Sequence, residues 1–399
     1  MRSRLALTMA ALASMEAASG CATTSKVPLA STPPSALAIT NVGVEPKMID
    51  INQQQVAAIR YELTQPATVV IDLVGEEGRL MRRLDAGQQT AGMHTMTWDG
   101  RATDGQSVPR GVYRYVVVAK TPHSSLIYDP SRTTGGEELT PWDFTFDKDT
   151  GTLKWVMPKA GYVRLRIGLE GFPHLRTLLD WEPLEAGEHS VVWDGLDASG
   201  LIRLRDHPTL SIKLQTFALP WNTLIVKYQQ TADSAESATR RPAFGGGGSA
   251  SGGSTQQTDL PTSDELRTMN SPAYPPLHRP DAAYLHARHA RAICREANLR
   301  VELPEVARSD TEGRPVLSGL VPVRVLLDER DAQSLINSRF EVALFEDTTF
   351  LFEEEEGSHP FTYLWDTAHL PPGEHLLTIN VLSYDDHYGV TTLPVMIER

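Results

Sequence analysis

Trp98-Asp99-Gly100-Arg101-Ala102-Thr103-Asp104-Gly105, running into Val108-Pro109-Arg110-Gly111-Val112-Tyr113-Arg114-Tyr115, decides how this chain is read. An aromatic residue ends one strand, an aspartate and two glycines make a tight polar turn, and a Pro-Arg-Gly step restarts an alternating strand. Each residue has a mechanical use. An indole can bury a large apolar area between two sheets. An aspartate can accept hydrogen bonds from turn amides, and glycine adopts positive φ without steric cost. Variants return at Trp193-Asp194-Gly195 and Trp365-Asp366-Thr367. The chain therefore reads as all-β: three variations on one antiparallel β-sandwich module.

Outward from the turn, strand-like stretches recur at intervals of about ten residues, the spacing of a sandwich. Ile59 to Leu63 alternates apolar and polar; Val69-Val70-Ile71-Asp72-Leu73 follows Pro66; His94 to Trp98 follows the turn at Ala91-Gly92; Gly111 to Ala119 closes the unit. The set Gly75, Gly78, Ala91-Gly92, Trp98-Asp99-Gly100 and Gly111-Val112-Tyr113 resembles the immunoglobulin-like domain of the flagellar hook-capping (FlgD) family. The resemblance covers residues 41–120 of a module expected over 41–122. It implies an immunoglobulin-like or fibronectin-III-like sandwich that acts as a structural and binding unit without a catalytic centre.

A second, degenerate copy is expected over residues 140–230. Ile59 to Leu63 lies over Leu153 to Met157, and Val69 to Leu73 over Val163 to Ile167, at an offset of 94. Ala91-Gly92 and Trp98 recur as Ala186-Gly187 and Trp193 at an offset of 95. Two strands and a turn displaced together indicate a duplicated domain. No Gly-Val-Tyr follows Trp193, so the last strand starts differently. Asp147-Lys148-Asp149-Thr150-Gly151 reads as a polar hairpin, because an EF-hand loop needs glycine sixth and glutamate twelfth. The join at 123–139 is short enough for the two modules to pack together.

Residues 231–280 form a Gly/Ser/Pro linker, and Pro280-Asp281 caps an expected Arg-rich helix at 281–297. His286, His289 and Cys294 on it suggest a metal, but at 100° per residue Cys294 lies 140° from His289, so a basic docking helix is the preferred reading. The third module, 298–399, resembles other bacterial immunoglobulin-like domains in its Trp365-Asp366 turn, its Pro372-Gly373 step and a long following strand. The long linker predicts that it melts independently of the first. Glu353 to Glu356 reads as a solvated charge run open to calcium or to the arginine helix, and Asp385-Asp386-His387-Tyr388-Gly389 as a hairpin tip.

At the amino end, Arg2 and Arg4 precede a short apolar run ending at Ala18-Ser19-Gly20-Cys21. The run is shorter than a membrane span needs. It resembles the lipobox of bacterial lipoproteins, which implies a signal peptide at 1–20, a lipidated Cys21, a tether at 21–40 and attachment to the outer membrane. An ordinary secretory signal with an incidental Cys21 is the alternative. The net charge of −13 over 399 residues excludes a nucleic-acid partner, which needs a concentrated basic surface. No His-Glu-x-x-His, Gly-x-Ser-x-Gly or Walker loop occurs, so no catalytic, cofactor or metal residue is assigned. The expectation is a non-enzymatic structural or adaptor protein of a cell-envelope assembly, partnered by the membrane and by other envelope proteins. The alternative is an adhesion or glycan-binding protein meeting polysaccharide.

Overall fold

The computed structural model describes residues 36–227, except 77 and 172, and residues 296–398, except 384–386. Among these the chain is a series of antiparallel sheets with one short α-helix. The expected signal peptide, Cys21, most of the tether, the linker, and all of the Arg-rich helix but its last two residues, with His286, His289 and Cys294, lie outside the described residues; Glu296 and Ala297 are described and are not helical.

The first module comprises β1 (Ile39–Glu45), β2 (Met48–Asp50), β3 (Ala57–Leu63), β4 (Ala67–Gly75), β5 (Leu80–Gln89), β6 (Gly92–Trp98), β7 (Gly111–Lys120) and β8 (Ser125–Tyr128). Its first strand begins at Ile39, inside the stretch assigned to the tether. One sheet is ordered β1-β3-β6; in the other, β4 lies between β5 and β7. Alternate residues point inward, as the strand period requires: Ile59, Tyr61, Leu63, Val69, Ile71, Leu73, Tyr115 and Val117 fill the space between the sheets beside Trp98.

The second module follows the same plan with β9 (Trp142–Asp147), β10 (Thr152–Met157), β11 (Gly161–Leu169), β12 (His174–Leu184), β13 (Gly187–Val192) and β14 (Leu210–Ala218). Its sheets are β13-β10-β9 and β12-β11-β14. The two first strands carry the same irregularity. Asn41 in β1 and Asp143 in β9 both have positive φ, of 47° and 54°, beside a break in register with the neighbouring strand.

The sequence assigns residues up to 230 to the second module, and here the structure differs. β15 (Thr223–Lys227) crosses into the first module, pairing antiparallel with β7 and parallel with β2. Leu224 and Val226 enter the first module's core. Asn222 fixes the crossing: its carbonyl accepts from Tyr115 N at 2.9 Å, and its amide donates to Tyr115 O at 2.9 Å and Asp129 Oδ1 at 3.1 Å. Gly135 sits against Pro220 with φ +85°, where an added Cβ would lie 2.5 Å from Pro220 N. That approach requires glycine.

The outward residues of β7 and β15 then meet the outward residues of the second module's sheet. Val112 and Ile225 pack on Tyr162, Trp181 and Leu219, and Arg110 pairs with Glu182 at 2.7 Å. Sheet lies on sheet, so β11 is buried on both faces for most of its length.

The third module contains β16 (Leu299–Glu302), β17 (Val316–Leu317), β18 (Leu320–Leu327), α1 (Glu329–Ser338), β19 (Phe340–Glu346), β20 (Thr349–Glu354), β21 (Phe361–Asp366), β22 (Gly373–Ser383) and β23 (Tyr388–Ile397). Its sheets are β16-β18-β21 and β17-β23-β22-β19-β20. The sequence reading missed α1. Its signals were present: Asp328 before an acidic first turn with Glu329 and Asp331, then Ala332 and Leu335 one helical turn apart and buried in the core. Such placement of acid suits the positive end of the helix dipole.

Candidate functional site

The repeated turn is built twice with the same bonds. Trp98 Nε1 donates to Arg101 O at 2.8 Å, and Trp193 Nε1 to Leu196 O at 2.8 Å. Asp99 Oδ1 accepts from Arg101 N at 3.1 Å, and Asp194 Oδ1 from Leu196 N at 3.0 Å. An arginine from the neighbouring sheet closes each corner: Arg82 Nη1 reaches Asp99 Oδ1 and Arg176 Nη1 reaches Asp194 Oδ1, both at 3.0 Å. Gly100 and Gly195 supply φ of +74° and +85°. In the first module Tyr113 packs edge-on to Trp98, with centroids 5.4 Å apart, and its hydroxyl donates to Pro109 O. Gly111 starts that strand with positive φ. Indole and carboxylate are both used to close a folding corner.

A second repeated pair escaped the sequence reading. His94 Nε2 bonds Thr90 O and tilts against Tyr61; His189 Nε2 bonds Glu185 O and stacks on Trp155. The signal was available, because both histidines stand at the repeat offset of 95.

Trp365 departs from the pattern. Its Nε1 donates across the module to Glu346 Oε2 at 2.9 Å, while Asp366 Oδ1 caps Ala368 N at 3.0 Å. The next residues of the β19–β20 turn hold two histidines. His369 Nε2 lies 2.9 Å from Glu346 Oε1. His375 Nδ1 lies 2.5 Å from Asp347 Oδ2, and its Nε2 lies 2.9 Å from Pro371 O. The Glu346 carboxylate holds the His369 imidazole above its ordinary pKa. Burial alone would lower His375, but the Asp347 carboxylate and the Pro371 carbonyl outweigh it and raise its pKa. With both ring nitrogens facing acceptors, His375 fits as an imidazolium donating twice.

The chemistry-bearing face that only the fold assembles lies between the second and third modules. Arg164 and Arg166 project outward from β11, both buried. Arg164 stands 4.4 Å above the Trp181 ring and hydrogen-bonds Gln215 Oε1, and Arg166 lies 3.3 Å above the Tyr388 ring. His174 packs edge-on to Tyr388, and Asn380 Nδ2 donates to His174 O at 2.9 Å. Leu376 of the third module also packs against the second module's core. Burial pushes the His174 imidazole below its ordinary pKa, and the two guanidinium groups beside it act in the same direction. Glu296 lies 3.4 Å from His174 Nε2. Burial alone would raise the Glu296 carboxyl, but His174, Thr177 and Arg166 outweigh it and hold it low. The third module thus docks on the second.

The remaining sequence candidates are placed as follows. Asp147 caps the amides of Asp149 and Thr150 in a hairpin. Glu353 and Glu354 end β20, and Glu356 lies 3.9 Å from Arg339. Asp385 and Asp386 lie outside the described residues, whereas His387 is buried at the base of the β22–β23 hairpin, its N–H donating to Ser383 Oγ at 3.0 Å. Among the described residues no group of three or more His, Cys, Asp or Glu side chains is placed to hold a metal ion, and no helix is long and apolar enough to cross a membrane.

Residues 47–123 match the family model described as "FlgD Ig-like domain". Over 70 residues the chain is 41% identical to the basal-body rod modification protein FlgD of Salmonella typhimurium and 37% identical to that of Escherichia coli. Each alignment covers 17% of this chain and 30% of the relative, so the chain spans under a third of the length of the curated relatives it matches. Among solved structures, FlgD from P. aeruginosa aligns over 25% of this chain and 72% of its own, at 22% identity and a TM-score of 0.19. A tetra-tandem repeat from the extending region of a large adhesion protein aligns over 91% and 74%, at 12% identity and a TM-score of 0.17. What these comparisons support for the chain is one FlgD-type immunoglobulin-like domain at residues 47–123 within an all-β protein.

Proposed function

We propose that this protein is a non-enzymatic structural or adaptor component of a cell-envelope assembly, held at the outer membrane by a lipid on Cys21 and contacting other envelope proteins through its sandwich modules. The observation that carries the reading is the interlocking of the modules. The outer face of β12-β11-β14, where a lone sandwich could offer a binding surface, is spent on the first module through Trp181 and on the third through Tyr388. A chain that commits its faces to fixing domain against domain suits a spacer or scaffold better than an enzyme. The FlgD-type domain supports the same class of role, since the relatives that share it are named for modifying the basal-body rod.

Two measurements test the proposal. Cys21→Ser should move the protein from the membrane fraction to the soluble fraction, because stable anchoring needs more than one acyl chain; a variant that stays membrane-bound refutes the lipid anchor. Mild crosslinking of the full chain in its native envelope should capture defined envelope proteins, and recovery of uncrosslinked chain alone refutes the adaptor role. A second reading, glycan binding, is favoured by the exposed Trp142 and Phe144 on edge strand β9. A glycan array with a hit lost in Trp142→Ala would replace the adaptor reading.

A further inference from the structure

Two strand pairings among the described residues are parallel, and each joins the chain entering a module to the chain leaving it. β2 lies beside β15, with Met48 opposite Ile225 and Asp50 opposite Lys227. β17 lies beside β23, with Val316 opposite Met396 and Leu317 opposite Ile397. Parallel strands put the start of one and the end of the other at opposite ends of their ladder. The chain therefore reaches β2 at the Met48 end and departs from β15 at the Lys227 end.

A pull on those two ends lies along the strands. It slides β15 past its neighbours and loads their hydrogen bonds together, whereas a pull across a ladder opens one bond after another. On the β2 side, Ile225 N donates to Lys47 O at 2.7 Å. On the β7 side, Thr223 to Val226 face Arg114 to Gly111, and Asn222 exchanges two bonds with the Tyr115 peptide. Sliding also drags Leu224 and Val226 through the core that holds Ile49. The third module repeats the arrangement. Met396 N donates to Pro315 O at 2.9 Å and Glu398 N to Leu317 O at 3.0 Å, with Val395 and Ile397 in the core.

The second module is spliced into the first, between β7 and β15. While β15 stays paired with β7, a pull on the ends of the first module passes straight into β15 and leaves the second module slack. Force arriving through the third module reaches Lys227 once the side-chain dock at His174 and Tyr388 has opened.

We propose that β15 and β23 are clamps and that the chain is a tension-bearing tether: the first and third modules resist a pull along the chain, and the second is held out of the line of force. The proposal deepens the structural reading of the protein and rests on it for a place where tension acts; the mechanics rest on the strand pairings alone.

Single-molecule force spectroscopy of the full chain tests it, because forced unfolding reads the barrier directly. Cys21→Ser and Cys294→Ser leave only introduced cysteines to carry the handles, which are placed in pairs at exposed positions. Ala36→Cys with Lys227→Cys pulls along the strands. Arg110→Cys with Lys227→Cys pulls across them, because the start of β7 lies opposite the end of β15. The first rupture should need at least twice the force in the first geometry, and no lengthening step matching residues 121–222 should precede it. Ile225→Pro removes the donor to Lys47 O and should lower that first force, while Trp193→Ala, in the second module's core, should leave it unchanged. If the proline variant fails to fold, the two geometries without it decide the matter. Equal forces in the two geometries, a second-module step ahead of the first rupture, a folded Ile225→Pro of unchanged strength, or a first force that drops with Trp193→Ala would each overturn the proposal. Cys21 is absent from the chain under test, so these outcomes are separate from the fate of the lipid anchor.

Discussion

Truncating Leu224 to alanine tests the interlock most directly, because the residue belongs by sequence to the second module and by packing to the first. Its side chain is fully buried among Tyr113, Tyr115 and Ile49 of the first module's core. Removing a buried leucine's methyl groups costs the lost transfer energy plus a cavity term, typically 2–5 kcal/mol. A central value of about 3 kcal/mol is a large part of a domain's usual stability. For a domain of 60–100 residues it should lower Tm by about 12–24 °C. The assay is hydrogen exchange followed by mass spectrometry. Amides of β4 and β7 should lose protection more than those of β10 and β13, although the substitution lies beyond every strand of the second module. If Leu224→Ala instead loosened the second module and left β4 and β7 protected, the assignment of β15 to the first module's core would be refuted.

The third module's stability should fall as pH rises above about 6.5. His369 and His375 have raised pKa values when folded, so their contribution is complete below the unfolded value of about 6.5 and is lost as pH passes the folded value. His375→Gln should flatten that pH profile in thermal melts, and an unchanged profile would exclude the pair. Tyr388→Ala strips the ring from the buried Arg166 and the edge of His174; at about 0.5–2 kcal/mol for the cation–π contact, limited proteolysis between the second and third modules should quicken several-fold. Trp98→Ala should cost about 3–5 kcal/mol and unfold the first module at lower temperature than Trp365→Ala does, as read by differential scanning calorimetry.

Several of these expectations were legible in the chain before any coordinates. The aspartate cap, the glycines and the indole bond of the Trp-Asp-Gly turn lie within four residues, so they follow from local chemistry and are the same at Trp98 and Trp193, whereas the closing Arg82 and Arg176 come from another strand. The strand positions were legible for the same reason, since a period of two is a local property. Arg164 and Arg166 show where legibility stopped. In sequence they look like the solvated face of a strand, because an arginine alternating with Val163, Leu165 and Ile167 is what a solvent-facing position ordinarily holds. Only the arrival of Trp181 and Tyr388 above them makes that face an interior. Helix α1 was missed differently: ten residues carrying a mixed pattern offer too few turns for a helical period to stand out beside strands on either side.

The sequence by itself determined that the protein is all-β, that a FlgD-type immunoglobulin-like domain stands near its start, that a second sandwich of the same plan follows, and that Trp98 and Trp193 anchor matching corners. Hydrophobic periodicity and turn chemistry act over a few residues, so one chain suffices to read them. The tertiary structure alone decided that Thr223–Lys227 completes the sheet of a domain some hundred residues earlier, that the middle sheet is buried on both faces, and that the third module docks on the second. Such pairings depend on which edges and faces remain open after each module has folded. Any strand of suitable pattern could occupy them, and only the competition among all of them in space selects one.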